Sequence, residues 1–466
     1  MAFRIPNLFR RLFAEGAFAQ SFVPVLTEYR NKQPAEVVRK LISRVSGTLG
    51  VCLLVLTVLG VIAAEYVMRA FAPGFLYHGD VEKLGLAIDM LRLTFPYLLL
   101  ISMTAFAGAV LNTFGRFAVP AFTPVLLNLS LILCAVFLRP HLEQPVMALA
   151  WAVLIAGVAQ LTFQLPFLAR ENLLAVPRVD FNDPGVRRVM ALMLPAMFGA
   201  SVGQINLLLD AVLASFLETG SLSWLWYADR LFELPLALFG IAIATVLLPG
   251  LSADHASESP AAFSATLNWA IRLIVLLGIP ATVTLVFLSE ALITTLFFYG
   301  EMTQRDVNMA SLALSAYGVG LFAQMLVKIL LPGYFARQDT STPVRYGVIA
   351  LVSNMALNLI LIWHLHHVGL ALATSISGFI NAGLLFFGLR RIGVLQLDSG
   401  WWRFLGQVLV ANLVMFGAIY IMTPEQWFSY ALLERIALML LICGAGALIY
   451  AASLLLVGIR IRQLVR

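Results

Sequence analysis

Charge is the first thing this sequence lacks. Only 12% of its 466 residues are Asp, Glu, Lys or Arg, about half the ~25% that keeps a soluble domain solvated. That excludes a water-soluble enzyme of this size. Disorder is excluded too, because 61% of the residues are hydrophobic and a disordered chain needs the opposite balance. The three cysteines, Cys52, Cys134 and Cys443, stand singly in apolar stretches, so neither a disulfide framework nor a cysteine zinc site is expected. None of the four lysines follows a glycine (their predecessors are Asn31, Arg39, Glu82 and Val327), so there is no G-K-[ST] phosphate loop and no ATP hydrolysis is expected. Short alternating segments are missing, which excludes a β-barrel. Despite a net charge of +6, no dense basic run interleaved with aromatics occurs, so nucleic acid is not an expected partner. The opening MAFRIPNLFRRLF lacks the small-residue cleavage site of a secretory signal.

Long apolar runs take the place of these features. Segments able to span a bilayer, at ~20 apolar residues each, fall at 1–28, 43–72, 86–113, 119–138, 145–169, 186–217, 221–251, 267–290, 306–332, 343–363, 367–389, 402–423 and 432–458. Prolines within several of them (Pro96, Pro124, Pro195, Pro235, Pro280) are tolerated where neighbouring helices re-satisfy the backbone. The expected fold is an all-α polytopic membrane protein. If 28–43 faces the cytoplasm, eighteen basic residues lie on that side. Six lie opposite: Arg69, Lys83, Arg92, Arg139, Arg305 and Arg435. The positive-inside rule fixes this orientation.

An internal repeat organises the spans. LAWAVLIAGVAQL from Leu149 and LALATSISGFINA from Leu370 align 221 positions apart. They pair Gly157 with Gly378 and Gln160 with Asn381, and the same offset pairs Arg116 with Arg337. Near the front, Pro6 matches Pro235 and Pro24 matches Pro249. Equivalent spans lie six apart, so the repeats are parallel, as in transporters whose halves turn about the membrane normal. The expected organisation is an N-lobe at 1–170 with five helices, a C-lobe at 186–391 with six, and an additional pair at 402–458. The span at 186–217 has no partner, so the first lobe is expected to lack its first helix.

Charged residues at membrane depth cost about 2.5–3.5 kcal/mol and usually face a cavity or a partner. Counting back from Glu28 at ~1.5 Å per residue places Glu15 ~20 Å and Arg10 ~27 Å deep, with Arg4 beyond. Arg11 and Glu15 are four apart and can pair along one helix face. The matching helix carries Asp229, Arg230 and Glu233 in YADRLFELP. Two readings are open: an arginine-lined cavity for an anionic ligand, or snorkelling arginines and structural ion pairs. Asp210, with Gln204 and Asn206 on its span, shares its half with Asn354, Asn358 and Thr374. These could bind Na⁺, Asp210 could carry a proton, or the set could fasten helices. Lys328 and Gln324 lie deep in another span. His364, His366 and His367 resemble a metal cluster, but their place at a span end favours solvated interfacial histidines. Asp183-Pro184-Gly185 reads as an N-cap and first turn opening the second half, after an interfacial stretch at 171–182.

RIPNLFRRLFAEGAFAQSFVPVLTEY, LNTFGRFAVPAFTPVLLN, SWLWYADRLFELP and PGYFARQDTSTPV resemble the MurJ (MviN) family of lipid II flippases, and the resemblance runs along the whole chain. It implies fourteen spans in two six-helix lobes and a final pair, of which thirteen are present. Its functional arginines on the first span, and an acidic residue just before RIPN, have no counterpart here. By position, Arg10, Glu15, Asp229 and Arg230 would be cavity residues, with Arg4 and Glu233 beside them, and Arg230 would contact the pyrophosphate. Asp210, Asn354, Asn358 and Thr374 fall where some members coordinate Na⁺, and no other cofactor is implied. The groove of the last two spans would take the polyprenyl tail of the cargo, lipid II. The resemblance further implies a monomer among the lipids of the bacterial inner membrane, with no enzymatic activity. Two rivals remain: a cation-coupled multidrug antiporter of the same superfamily, and a membrane-embedded polyprenyl-phosphate enzyme.

Overall fold

The computed structural model describes residues 4–10, 17–257, 259–397 and 400–459, and among them every regular element is helical. The chain divides into two compact units, Met1–Phe216 and Leu217–Arg466.

In the first unit α1 (Arg4–Arg10), α2 (Ala17–Lys32), α3 (Ala35–Ile62), α4 (Ala64–Phe71), α5 (Pro73–Tyr77), α6 (Val81–Thr94), α7 (Tyr97–Thr113), α8 (Ala118–Leu133), α9 (Met147–Arg170) and α10 (Pro184–Ser215) follow in order. Phe18 and Phe22 of α2 and Phe106 of α7 form the centre of a buried cluster completed by α3 and the start of α10. Asp183 caps α10, its Oδ1 accepting from the backbone N–H of Gly185 at 2.9 Å and of Val186 at 3.1 Å. The expected N-cap at Asp183-Pro184-Gly185 is therefore present. Helix α10 packs on α2 and α3. Packing and repeat thus divide the chain on either side of this helix: compactness puts it in the first unit, whereas the repeat counts it with the second half.

The second unit holds α11 (Ser221–Pro235), α12 (Ala242–Ala256), α13 (Pro260–Phe287), α14 (Ser289–Phe297), α15 (Gln304–Phe335), α16 (Ser341–Arg391), α17 (Trp401–Met422) and α18 (Leu432–Leu456). A π-helical turn, Leu236–Ile241, joins α11 to α12 directly after Pro235. The 51-residue α16 would be ~76 Å long if straight, far more than a bilayer requires. His366, at φ 50° and ψ −130°, breaks it. Asn354 donates to Ser377 Oγ at 3.4 Å and to Thr374 Oγ1 at 3.5 Å, and Gly369 sits against the backbone of Leu361. Residues symmetric about the break are thus neighbours, so α16 is an antiparallel hairpin of two spans.

Ten helices among the described residues are long and apolar enough to cross a membrane. With the hairpin counted as two, they account for eleven of the expected spans. The other two, 1–28 and 186–217, include residues or side chains outside the description.

The 221-residue offset reappears as geometry. Helix α9 ends at Arg170 and α16 at Arg391. Leu173 N–H bonds to Leu168 O at 2.9 Å and Asn172 N–H to Ala169 O at 3.0 Å; Val394 N–H bonds to Leu389 O at 3.1 Å and Gly393 N–H to Arg390 O at 3.0 Å. Both ends are Schellman caps, with Asn172 and Gly393 in the left-handed region that such a cap requires. The repeat-paired glycines also sit at close helix contacts. A Cβ on Gly157 would lie 2.9 Å from the Tyr97 ring, and one on Gly378 2.8 Å from the Gln324 amide.

Candidate functional site

Helix α11 owes its orientation to one face. Trp224, Leu225, Ala228, Leu231 and Phe232 are buried and pack on α15. Trp224 Nε1 donates to Asp306 Oδ1 at 2.8 Å, and the Phe232 and Tyr317 rings lie 5.5 Å apart. Helical periodicity then turns Ser223, Trp226, Arg230 and Glu233 outward as one exposed stripe.

Arg230 is the centre of that stripe. Its Nη2 lies 3.1 Å from Asp229 Oδ2 and its Nη1 3.0 Å from Glu233 Oε2, while its guanidinium carbon lies 5.8 Å from the centre of the Trp226 ring. The side chains of Arg230, Asp229 and Glu233 are 44%, 39% and 49% exposed. Arg230 stands nine residues inside a helical run, Ser221–His255, that qualifies as a membrane span, or about 14 Å from its start. The run is 35 residues long, ~52 Å against a hydrocarbon core of ~30 Å, and its uncharged stretch, 234–253, follows the cluster. The exposed charges themselves call for water or a polar ligand around them. Held between two carboxylates, the guanidinium keeps its planar fork ordered, and an incoming phosphate would compete with them for the same donors.

The other expected cavity residues are less fully described. Arg4 opens α1 and is partly buried. Arg10 closes α1, but its side chain and the whole of Glu15 lie outside the described residues. Among the expected Na⁺ ligands, Asn354, Asn358 and Thr374 come together: Asn358 Nδ2 donates to Asn354 Oδ1 at 3.0 Å, and Asn354 reaches Thr374 across the hairpin. This arrangement fastens the two arms of α16, as the helix-packing reading requires. Asp210 stands near the end of α10, in the first unit. Gln324 packs against Gly378, and Lys328 is half-buried.

The histidines do not gather into a metal site: no group of three or more His, Cys, Asp or Glu able to hold a metal occurs among the described residues. His364 and His366 are exposed, as the interfacial reading expects. His367 departs from it, being buried against the Trp224 ring with its Nε2 2.9 Å from Met309 O. The stretch at 171–182 is fastened to α3, where Ser43 Oγ donates to Val176 O, Arg178 N–H to Ser43 O and Asp180 N–H to Thr48 Oγ1. Trp226 is the member of the α11 stripe that charge does not reveal. Its four-residue spacing from Arg230 is the sequence signal that could have found it.

Comparisons with known proteins bear on the family and the fold. A family model described as lipid II flippase MurJ matches residues 1–439. A probable lipid II flippase MurJ of Vibrio cholerae serotype O1 is 48% identical over 468 residues, covering 99% of this chain and 89% of the relative. The solved structure of a lipid II flippase MurJ in an inward closed conformation superposes with a TM-score of 0.79 at 27% identity, covering 97% of this chain and 90% of that one. An inward-facing multidrug resistance transporter of the MATE family, in the MOP superfamily, shares the fold at a TM-score of 0.60 and 15% identity, over 84% of this chain and 94% of its own. Matched along nearly its whole length by family model, relative and structure, the chain belongs to the lipid II flippase MurJ family.

Proposed function

We propose that this chain moves lipid II, the lipid-linked peptidoglycan precursor, from the cytoplasmic to the periplasmic leaflet of the bacterial inner membrane, with Arg230 binding the pyrophosphate. The observation that carries this reading is the exposed Asp229–Arg230–Glu233 cluster on α11, in a member of a flippase family. A bidentate guanidinium matches phosphate oxygens, whereas a cation-coupled antiporter would favour an acidic or aromatic site. Family membership likewise argues against an enzyme acting on polyprenyl phosphates.

Transport follows from a few physical steps. Two lobes (1–170 and 186–391) rock to expose the cargo site alternately to each side. Arg230 neutralises the pyrophosphate, while Asp229 and Glu233 hold its guanidinium in place when no cargo is bound. The polyprenyl tail stays among the membrane lipids along the last two spans, 402–458. Moving each uncompensated negative charge outward gains ~2.3 kcal/mol per 100 mV, inside negative, so the membrane potential drives export without ATP. Were Na⁺ the coupling ion, Asn354, Asn358 and Thr374 would offer it amide and hydroxyl oxygens at the expense of the hydrogen bonds that fasten α16; a single chain suffices.

The test is translocation of labelled lipid II in vesicles reconstituted with the chain. Losing a charge-assisted bidentate contact in R230A should slow flipping ~10- to 100-fold. R230K, which keeps the charge but not the fork, should fall between the two. Wild-type flipping by R230A would sink the assignment.

A further inference from the structure

Trp226 stands one helical turn from Arg230 on the same exposed stripe of α11. It is 48% exposed, and its ring lies under the guanidinium with 5.8 Å between centroid and guanidinium carbon. It also meets Tyr227 edge to face at 5.3 Å, and the Tyr227 and Phe297 rings lie 4.7 Å apart. The indole is therefore in contact with an aromatic neighbour while about half of it stays open. A tryptophan facing only lipid has no need of a charged neighbour. This one shares its exposed stripe with Arg230 and Glu233, so whatever solvates those charges also borders the indole.

Direction matters as well. Trp226 lies towards Ser221, the end of α11 that the distribution of basic residues puts outside, and four residues span ~6 Å along the axis. That is about the length of one hexose. In a polyprenyl-pyrophosphate sugar the first ring is bonded directly to the distal phosphate. With the pyrophosphate on Arg230 and the glycan turned towards Ser221, the first sugar would come level with the indole.

We propose that Trp226 is a specificity-determining residue that stacks on the apolar face of the first sugar of the cargo, so that Arg230 reads the pyrophosphate and Trp226 reads the glycan. This assignment rests on the reading that Arg230 takes the pyrophosphate. It makes the site selective for glycosylated polyprenyl pyrophosphates over the bare carrier. A flat aromatic surface suits a pyranose ring because burying the ring's C–H face gains the hydrophobic contribution of that area, while the hydroxyls at its edge stay hydrated.

Two probes on the purified full chain, lipid II and sugar-free undecaprenyl pyrophosphate, test the division of labour. W226A should weaken lipid II binding about tenfold and leave undecaprenyl pyrophosphate within about twofold. W226F should recover most of the loss, because it keeps an aromatic face. R230A should weaken both probes. If W226A leaves lipid II unchanged, or weakens both probes equally, Trp226 acts at most by posing Arg230 and the assignment is overturned. If the wild-type chain binds neither probe, or R230A changes neither, the underlying reading of the pyrophosphate site fails instead.

Discussion

The helix pairs that end at Arg170 and at Arg391 are fastened alike but joined differently. In the first, α8 runs into a π-helical turn, Cys134–Leu138, and an irregular connection before α9 begins at Met147. In the second, the single break at His366 reverses the chain. Beyond the turns the two converge. Both pairs finish in Schellman caps 221 residues apart, and both following segments are clamped by a serine at the same offset. Ser43 Oγ donates to Val176 O, while Ser264 Oγ donates to Gln396 O and accepts from Gln396 N–H at 3.0 Å. The difference lies one turn further along the clamping helix. The first pair has Gly47, onto which the backbone of Arg178 is pressed; the second has Asn268, whose amide donates to Gln396 O and whose Oδ1 accepts from Trp401 Nε1 at 2.9 Å. Where backbone approaches backbone, the chain needs glycine; where a gap remains, a side chain bridges it. Charge differs as well, since Arg116 pairs with Glu171 while the positions equivalent to them are Arg337 and Ile392.

Exchanging these positions breaks the comparison most severely. A Cβ on Gly47 would sit 2.4 Å from the backbone of Arg178, so G47N should destabilise by ~3 kcal/mol or more. N268G should cost only ~1–3 kcal/mol for the lost hydrogen bonds. Thermal melts in detergent separate the two, and equal losses would mean that the close approach at Gly47 is not rigid. The serine clamps sharpen the likeness: S43A and S264A should each lower stability by ~1 kcal/mol, and a large disparity would deny that they do the same work. The smallest effect belongs to the exposed ion pair. E171Q should change stability by less than ~1 kcal/mol, and less again in high salt.

Much of this fold is legible in the sequence because apolar length and helical period are local properties. The spans and the Asp183 cap follow from spacing, as does the gathering of Asp229, Arg230 and Glu233 on one helix. The clamp of Ser43 on Val176 does not, since nothing local tells a serine which strand of backbone, more than a hundred residues away, will offer it a carbonyl. The buried place of His367 escaped for the same reason: its partner, Met309 O, belongs to another helix. Trp226 was within reach of periodicity, but composition draws attention to charge and passes over an aromatic residue in a chain already rich in them.

Composition alone settled that this protein lives in a bilayer, because so few charges cannot solvate a chain of this length in water. The sequence also determined the repeat and the residue types able to meet an anion. Tertiary structure decided which of those residues share a face. Packing of Trp224, Leu225, Ala228, Leu231 and Phe232 fixes the rotation of α11 about its axis, and that rotation turns Trp226, Arg230 and Glu233 outward together. A helical period supplies the stripe, but only burial of the opposite face chooses where it points.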